Sequence, residues 1–327
     1  MKHVLLLGAG FSANWGGPLA SDVFDWLLQR PEVSGDAYLK QMLWNDRNAG
    51  GFENTLSQIQ SNYLMSPNAE NTARLGRFQT AIKEIFADMD HGFAIRPSWE
   101  FQTDDRDRTL GHALVKFDAV FTLNQDLLFE RYYLNQHAFN VSLETNQRLL
   151  GCIIPGMKET RDNQAPYPYD IARSTWTPLP PNEFNIPDRY QPYFKLHGSY
   201  LWDDGTGKNL MVFGGSKSLA IQSQQVLKWY FAEFQRYLAM GATRLMVIGY
   251  GFNDPHINNA LLEAAPRGLT LFIIDPLGVD AADPTRNLPL RMPNPFMDII
   301  ETASKRPLSD TFGANAVEHN RVMKFFQ

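Results

Sequence analysis

Residues 4–12 read Val4-Leu5-Leu6-Leu7-Gly8-Ala9-Gly10-Phe11-Ser12, an apolar run that passes directly into a glycine turn. A buried first strand followed by such a turn is typical of nucleotide-binding α/β proteins, in which backbone N–H groups close on a phosphate. A tight strand-to-helix turn without a ligand has the same local appearance. The other strand ends of the chain therefore decide what this turn means.

Five short apolar runs, each bounded by Gly, Asn, Asp or Pro, indicate buried strands. They lie at residues 3–7, 118–123, 193–197, 244–249 and 269–274. Patterns with helical spacing separate them. Strands that alternate with helices favour an α/β fold, and we predict a Rossmann-like, mostly parallel sheet with helices on both faces.

We predict a single domain over residues 1–327, with three segments that depart from the regular alternation. Residues 35–115, approximately, carry helical patterns with no strand and are interpreted as a helical insertion. Residues 155–192 are rich in proline and predict a long loop, which in a compact domain is usually functional. Residues from about 277 to 327 form a C-terminal extension, with a last helix expected near 297–305.

Composition excludes several classes of protein. The chain has 327 residues, a net charge of −5 and one cysteine, Cys152. That charge balance argues against an extended nucleic-acid surface, and one cysteine excludes an internal disulfide and a cysteine-rich zinc module. The first apolar run is too short for a signal peptide, and no stretch approaches the ~20 apolar residues of a membrane span. We expect a cytoplasmic protein with no membrane contact and no metal.

The opening turn has the form Gly8-x-Gly10-x-x-Ala13, which fits a dinucleotide fingerprint. An ordinary dehydrogenase would continue with a regular helix and a second strand that ends in an acid ~20 residues later. Neither is present, because residues 14–18 (Asn-Trp-Gly-Gly-Pro) interrupt the chain. Ser12 and Asn14 instead suggest a looped cradle for phosphate and ribose.

A second group of polar residues follows the strand at 118–123, in the sequence Thr122-Leu123-Asn124-Gln125-Asp126. Open α/β sheets bind ligands at this end of their strands, so Asn124 and Asp126 are candidate site residues. An Asn or Asp that caps the next helix is the alternative, and for Asp126 it is the more common situation.

A third candidate is His197, which follows the apolar run Tyr193–Leu196 and precedes Gly198. Histidine titrates near neutral pH and suits a general base. A histidine at a strand end is more often a hydrogen-bonded structural residue. The adjacent Gly198, which would leave room for a close ligand, favours the functional interpretation.

Two further strand ends complete the set. Residues 249–256 read Gly-Tyr-Gly-Phe-Asn-Asp-Pro-His, in which the glycines permit close backbone approach and the following helix start can face a phosphate. Asp254 is equally suited to cap that helix. The run 269–274 ends in Asp275, an acid that could reach a ribose or an adenine edge.

In this order the motifs resemble the sirtuin family. The matching elements are the Gly-Ala-Gly-x-Ser turn (8–12), the Thr-x-Asn-x-Asp segment (122–126), the His197-Gly198 pair and the glycine-led turn (249–253). The late segment 249–257 is most similar to the sirtuin-like domains of bacterial anti-phage defence systems. Protein deacylases of the family carry four zinc-binding cysteines between the His-Gly pair and the late turn, and this chain has none there.

The resemblance implies that NAD is the substrate and that its nicotinamide–ribose bond is cut. It implies catalytic roles for Asn124, which would position ribose hydroxyls and water, for His197 as proton acceptor, and for Asp126 near the nicotinamide. The residues expected to bind NAD are Gly8, Ala9, Gly10, Ser12, Asn14, Thr122, Gly249, Tyr250, Gly251, Asn253 and Asp275.

The resulting hypothesis is an NAD+ hydrolase that depletes NAD during phage infection. Such an enzyme needs restraint, so we expect a homo-oligomer and a partner such as a hexameric ATPase or a nucleic-acid sensor, with no direct nucleic-acid binding. The alternatives are an NAD-dependent protein deacylase, which the missing cysteines disfavour, and a non-catalytic NAD or ADP-ribose-binding module, which the presence of both Asn124 and His197 disfavours.

Overall fold

A computed structural model of the protein describes residues 1–134, 149–161, 174–214, 217–288 and 292–327. The strands are β1 (Lys2–Leu7), β2 (Ala119–Thr122), β3 (Gly151–Ile153), β4 (Met157–Arg161), β5 (Ser174–Pro178), β6 (Tyr190–Lys195), β7 (Gly198–Asp203), β8 (Asn209–Met211), β9 (Thr243–Ile248), β10 (Thr270–Ile274) and β11 (Ile300–Ser304). The α-helices are α1 (Ala9–Ala13), α2 (Val23–Leu28), α3 (Pro31–Ser34), α4 (Ala37–Asp46), α5 (Gly51–Met65), α6 (Ala69–Ala94), α7 (Leu110–Leu114), α8 (Lys217–Ser223), α9 (Gln225–Leu238), α10 (Pro255–Ala264) and α11 (Ala316–Met323).

The central sheet confirms the Rossmann-like prediction. Within the described ranges it has seven strands in the order β11-β10-β9-β1-β2-β6-β3, and all of its pairings are parallel. The chain leaves β1 toward β2 on one side and later returns to β9 on the other. This reversal opens a crevice at the carboxyl ends of β1, β2 and β9, the usual ligand position in open α/β sheets.

The core explains why these runs become strands. Val4 to Leu7 of β1 are at most 1 % exposed, as expected for a strand that is covered on both faces. Phe121 of β2 stacks on Phe194 of β6 with ring centroids 4.8 Å apart, and Phe234 of α9 packs edge-on against Phe121 at 5.0 Å. Each such side chain contributes about 1.5–3 kcal/mol of hydrophobic stabilisation. The core thus fixes the strands whose ends build the crevice.

The segment between β1 and β2 is helical. All of its residues are described, and it contains α1 to α7 with no strand. Helix α6 is the longest at 26 residues and packs on α5, α3 and α2. The helices predicted for residues 35–115 are therefore present, and α5 carries Glu53, which pairs with Lys217.

The predicted loop at 155–192 is wrong in its described part. Residues Met157–Arg161 pair with Ser174–Pro178 as antiparallel strands, and these belong to a second, four-stranded sheet of order β4-β5-β7-β8 within the described chain. The prolines suggested a loop, but Pro155 lies between β3 and β4 and Pro178 is the last residue of β5, positions where no ladder N–H is needed. Residues 162–173 of the predicted loop lie outside the described residues.

The helix expected near 297–305 is also wrong. Residues Ile300–Ser304 are β11, which pairs in parallel with β10 at the edge of the central sheet, for example Phe272 with Thr302. Pairing with an exposed strand edge outweighs local helix preference here. The helix of this region lies later, at Ala316–Met323, where the Asn315 side chain caps it by accepting from the N–H of Glu318.

Among the described residues, none of the helices combines the length and apolar character that crossing a bilayer requires.

Candidate functional site

The carboxyl ends of five adjacent strands bring the predicted motifs to one edge of the sheet. β1 ends before Gly8, β2 before Asn124, β6 before His197, β9 before Gly249 and β10 before Asp275. The first and last of these residues, Gly8 and Asp275, are 267 positions apart in sequence, so only the parallel sheet brings them together. The sites predicted from the resemblance therefore share one crevice.

The glycines of the opening turn are required for contact between two turns of the protein. A Cβ on Gly8 would lie 2.5 Å from the carbonyl oxygen of Gly249, and a Cβ on Gly249 would lie 2.4 Å from the Phe11 nitrogen. The N–H of Gly8 donates to the Ile248 carbonyl at 3.0 Å, and that of Gly10 to the Gly249 carbonyl at 2.9 Å. These N–H groups therefore bind the protein's own backbone, which corrects the expectation that they close on a phosphate.

The Asn14 side chain also makes hydrogen bonds within the protein. Its Nδ2 donates to the Gly10 carbonyl at 2.9 Å, and its Oδ1 accepts the backbone N–H of Leu308 at 3.2 Å. Asn14 thus fastens the C-terminal segment to the end of α1. In contrast, Ala9 is exposed at the start of this short helix.

Asn124, Ser12 and Asp126 form a buried hydrogen-bonded network at the junction of β1 and β2. The Asn124 Nδ2 donates to the Gly8 carbonyl and to the Ser12 hydroxyl, both at 3.1 Å. The Ser12 hydroxyl donates to Asp126 Oδ2 at 2.8 Å. Because Nδ2 is held in this way, the amide oxygen of Asn124 is the atom presented to a ligand.

Two neighbours fix the ends of this network. The Thr122 hydroxyl accepts the backbone N–H of Asn124 at 3.0 Å and donates to the Leu7 carbonyl at 3.4 Å. Asp126 Oδ1 accepts the N–H of Leu128 at 3.0 Å, so both carboxylate oxygens of Asp126 already have protein donors. In this structure Asp126 supports Ser12 and the following turn, in agreement with the capping alternative.

A buried ion pair lies directly below Asp126. The Lys195 ammonium, 0 % exposed at the end of β6, donates to the Asp126 carbonyl and to Glu130 Oε1, both at 2.5 Å. Burial raises the pKa of Glu130, and Lys195 opposes that shift. Neither residue was expected from the sequence, since a lysine within an apolar strand carries no local signal of its partner 65 positions away.

His197 lies in the tight connection between β6 and β7. The Val212 N–H donates to the His197 carbonyl at 2.9 Å, which anchors this turn to the end of β8. Gly198 has a φ of +71°, and a Cβ there would lie 1.9 Å from the Leu210 carbonyl oxygen. The expectation that Gly198 leaves room for a ligand is therefore wrong, because the β8 backbone fills that space.

The His197 imidazole is buried, at 2 % exposure, and touches the end of β2 and the start of α10. Its Nε2 lies 3.0 Å from the Nε2 of His256, and the Leu123 carbonyl, next to Asn124, acts on the ring in favour of its protonated form. Burial lowers the pKa of His197 to about 3, and Lys217 and His256 add to this effect. His197 is thus a neutral imidazole at physiological pH.

Behind the two histidines lies a row of charged groups that the sequence analysis did not assign. Lys217 Nζ binds Asp254 Oδ1 at 2.6 Å and Glu53 Oε2 at 2.9 Å. Burial alone raises the pKa of Asp254, but His197, Lys217 and His256 together hold it below its usual range. Glu53 belongs to α5, so the helical segment between β1 and β2 contributes to this site. His256 was visible two residues after Asp254, whereas Lys217 and Glu53 had no local signal.

The late turn, residues 249–254, is held by Tyr250. The Tyr250 hydroxyl accepts the Asp254 N–H at 3.1 Å and donates to Asn258 Oδ1 at 2.9 Å, so this buried ring supports the start of α10. Its predicted contact with NAD is therefore limited to its backbone. Asn253 is exposed beside it, and the Gly251 carbonyl accepts from Arg286 at 3.3 Å.

Asp275 lies at the end of β10, half-buried, and its Oδ1 accepts the N–H of Leu277 at 2.9 Å. Burial raises its pKa, and the nearby Arg286 opposes this. Asp275 thus remains available at the edge of the crevice on the β10 side, opposite the histidines.

The fold and this strand-end site are those of a Rossmann-like α/β protein with a crevice at the carboxyl ends of its parallel strands. Comparison with protein families is more specific, since the model described as SIR2-like domain matches residues 118–274. The chain therefore carries a SIR2-like domain, and the match extends from the start of β2 to the end of β10. The opening turn precedes the matched span, yet it packs directly on it through Gly249. No curated protein matches the chain.

Proposed function

We propose that this chain is an NAD+ hydrolase that cleaves the nicotinamide–ribose bond. The observation that carries the proposal is that Asn124 and His197 each lie two residues beyond Thr122 and Lys195, which are paired on the adjacent strands β2 and β6. An amide that can orient hydroxyls, beside a pair of hydrogen-bonded imidazoles that can accept a proton, suits displacement by water at a sugar carbon. The SIR2-like match supports NAD as the nucleotide.

The proposed reaction replaces the nicotinamide on the ribose by water and conserves atoms and charge. The bond between C1′ of the ribose and the ring nitrogen breaks, and its electron pair leaves with neutral nicotinamide. An oxocarbenium-like ribose forms and is attacked by water, whose proton passes to an imidazole. The products are nicotinamide, ADP-ribose and one proton, or a cyclised ADP-ribose if a group of the nucleotide replaces water.

Each element of the site would have one role. The Asn124 oxygen orients a ribose hydroxyl or the attacking water, while Ser12 and Asp126 hold Asn124. Gly249, Gly251 and Asn253 approach the phosphates and ribose, and Asp275 approaches the adenosine end. We extend the proposal to NAD depletion in anti-phage defence, in a homo-oligomer that is restrained by a partner such as a hexameric ATPase or a nucleic-acid sensor.

The test measures nicotinamide release from NAD+ by chromatography, with the purified chain alone and with the product of its neighbouring gene. We expect release in at least one condition, and its loss in Asn124→Ala and His197→Ala at unchanged thermal stability. Binding of NAD+ without release under any condition would instead support a non-catalytic sensor. Release that requires an acetyl-lysine peptide would support a deacylase.

A deacylase is the less favoured function for a structural reason. The single cysteine of the chain, Cys152, is buried in β3 at 5 % exposure, and burial raises the pKa of its thiol well above the usual value. It therefore cannot supply the four-thiolate zinc module that supports the peptide cleft in sirtuin deacylases.

A further inference from the structure

His197 and His256 form a hydrogen-bonded pair of imidazoles at the site. The two Nε2 atoms are 3.0 Å apart, a normal hydrogen-bond distance, so one ring must donate and the other accept. His197 is buried, whereas His256, on the first turn of α10, is half-exposed. The pair therefore connects the closed end of the site with solvent.

The protein backbone determines which ring donates. The Leu123 carbonyl acts on the His197 ring and, because a carbonyl can only accept, it favours the N–H of that ring on the nitrogen that does not face His256. A neutral imidazole has only one N–H, so the Nε2 of His197 must be the acceptor of the second bond. His256 is consequently the donor through its Nε2–H, and its Nδ1 carries the free lone pair. Both nitrogens of His197 are thus engaged, and the basic nitrogen of the pair belongs to His256.

The charges around His256 suit a group that becomes cationic for a short time. His197, Asp254 and Lys217 face it, and Glu53 is linked to it through Lys217, while Phe231 covers one side with its ring centroid 5.8 Å away. Burial lowers the pKa of His256, and Asp254 opposes this shift. A proton on His256 therefore has a carboxylate nearby and an exit to water.

A metal ion is the competing explanation for the same cluster. His197, Asp254 and His256 each place a ligand atom within 4.8 Å of the others. However, the Lys217 ammonium is already 2.6 Å from Asp254 Oδ1, and a second, divalent positive charge beside it would be repelled strongly in this partly buried site. The observed contacts favour a hydrogen-bonded pair of neutral imidazoles.

We propose that His256 takes the proton from the attacking water, and that His197 is the positioning residue that holds His256 through their Nε2–Nε2 hydrogen bond. This rests on the proposed NAD+ hydrolysis. In the step, the water O–H bond breaks, its oxygen binds C1′, and the proton adds to Nδ1 of His256. The Nε2–H of His256 stays in its bond to His197, and the proton at Nδ1 then leaves to solvent, which restores the neutral pair.

The experiment compares two substitutions of His256 in the full chain. His256→Gln keeps an N–H that can donate to His197 but cannot accept a proton, whereas His256→Ala opens a space for a small base. We expect both to lower kcat by about 10²–10⁴-fold, the usual effect of removing a general base, with KM nearly unchanged. The acid limb of the pH–rate profile should disappear, and added imidazole should restore activity to His256→Ala but not to His197→Ala.

The control is His112→Gln, a half-exposed histidine on α7 that precedes β2, at the opposite end of the sheet. It should retain wild-type kcat and pH profile. Wild-type activity in His256→Gln would overturn the proposal, because a hydrogen-bond donor would then suffice. Stoichiometric binding of Zn²⁺ or Mn²⁺ to the wild type, lost in His256→Gln, would overturn it in favour of a metal centre.

Failure of the hydrolase proposal is distinguishable from failure of this one. If the wild type releases no nicotinamide, nitrogen-15 NMR of the imidazoles still locates the proton between the rings. The proposal requires it on Nε2 of His256 and on the other nitrogen of His197. A proton found on Nε2 of His197 would contradict it, whatever the activity.

Discussion

The hydroxyl of Ser12 donates a hydrogen bond of 2.8 Å to the carboxylate of Asp126, across 114 positions of sequence. The same hydroxyl accepts the amide of Asn124 at 3.1 Å. Ser12 therefore joins the first strand end to the second and fixes the rotation of Asn124. In this arrangement the hydroxyl of the Gly-Ala-Gly-x-Ser turn orients a neighbouring amide inside the protein.

Ser12→Ala should therefore reduce catalysis more than stability. Asn124 loses one of the two acceptors that fix it, and small misplacements of a catalytic group can cost about 10²-fold in rate. The unpaired oxygen of Asp126 should lower the unfolding free energy by about 1–3 kcal/mol. Nicotinamide release and urea unfolding measure the two effects. The matched control is Ser223→Ala, an exposed hydroxyl on α8 that donates to the Ala220 carbonyl, and it should change neither.

Gly198→Ala should destabilise the protein far more than an equivalent change elsewhere. Gly198 combines a φ of +71° with a Cβ position only 1.9 Å from the Leu210 carbonyl oxygen, so both strain and collision oppose alanine. Gly207→Ala is the control, since Gly207 has a φ of +91° but no atom within 4 Å of the added Cβ. Positive φ alone costs about 1–3 kcal/mol, and urea denaturation should show a clearly larger loss for Gly198→Ala. Equal losses would mean that the β8 backbone moves aside freely.

Much of the fold could be predicted from the sequence because most strands of the central sheet are marked by a local run of apolar residues. The runs that became β1, β2, β9 and β10 are apolar stretches followed within two residues by Gly, Asn or Asp, which is the pattern of strands buried on both faces, and β6 was recognised from its run at 193–197 despite Lys195. Strand β11 was not predicted because Ile300–Ser304 carries no such run and becomes a strand only by pairing with β10. The pairing of β4 with β5 was not predicted because the prolines around these strands resemble those of a loop.

The residues of the site were largely predictable from the sequence, but the structural roles of several of them were not. Asn124 and His197 stand at strand ends, and strand ends share an edge in any parallel sheet. The glycines 8, 10 and 249 were interpreted as room for a phosphate, whereas they allow two turns of the backbone to touch. Long-range partners such as Lys217 and Glu53 depend on the packing of α8 and α5, which no local pattern encodes.

Lys195→Met should be strongly destabilising and should make stability depend on pH in a new way. Removing Lys195 leaves the buried Glu130 carboxylate without its cation, a loss of about 3–5 kcal/mol. Burial already raises the pKa of Glu130, and the substitution should raise it further. The folded state then binds more protons than the unfolded state, so the variant should gain stability relative to wild type as pH falls from 8 toward 5.

The control for Lys195→Met is the double variant with Glu130→Gln. Without a carboxylate to bury, much of the lost stability should return and the added pH dependence should vanish. Urea unfolding at several pH values, analysed as a double-mutant cycle, measures both. A double variant as unstable as Lys195→Met would show that the Lys195 bond to the Asp126 carbonyl, and not the ion pair, is the important contact.

Acid should destabilise the protein through its buried neutral histidine. The pKa of His197 is about 3 in the folded state and about 6.5 when unfolded, so between these values the unfolded state binds the extra proton. Its stabilising contribution is complete above pH 6.5 and is lost as pH falls toward 3, with a slope of up to about 1.4 kcal/mol per pH unit. His197→Gln should flatten the dependence of unfolding free energy on pH between 6.5 and 5. His112→Gln should leave the wild-type slope, and an unchanged slope in His197→Gln would contradict the burial effect.

Lys217→Met tests whether the charged row behind the histidines sets their protonation. The Lys217 ammonium lowers the pKa of both His197 and His256, while burial is the larger cause for each. Its removal should raise both pKa values, so that the acid limb of the pH–rate profile moves to higher pH. NMR titration of the His256 ring measures the same shift without relying on activity.

The matched control for this change is Lys228→Met, an exposed lysine on α9, which should leave the histidine titration unchanged. A second arm replaces Glu53 with Gln and keeps Lys217. Glu53 pairs with Lys217 at 2.9 Å, so its loss frees Lys217 to neutralise Asp254 more completely, and the His256 pKa should fall. Shifts of opposite sign in Lys217→Met and Glu53→Gln would show that α5 tunes the acceptor through Lys217. Shifts of the same sign would show that both substitutions act on the histidines by making the site less ordered, and not through the change in charge.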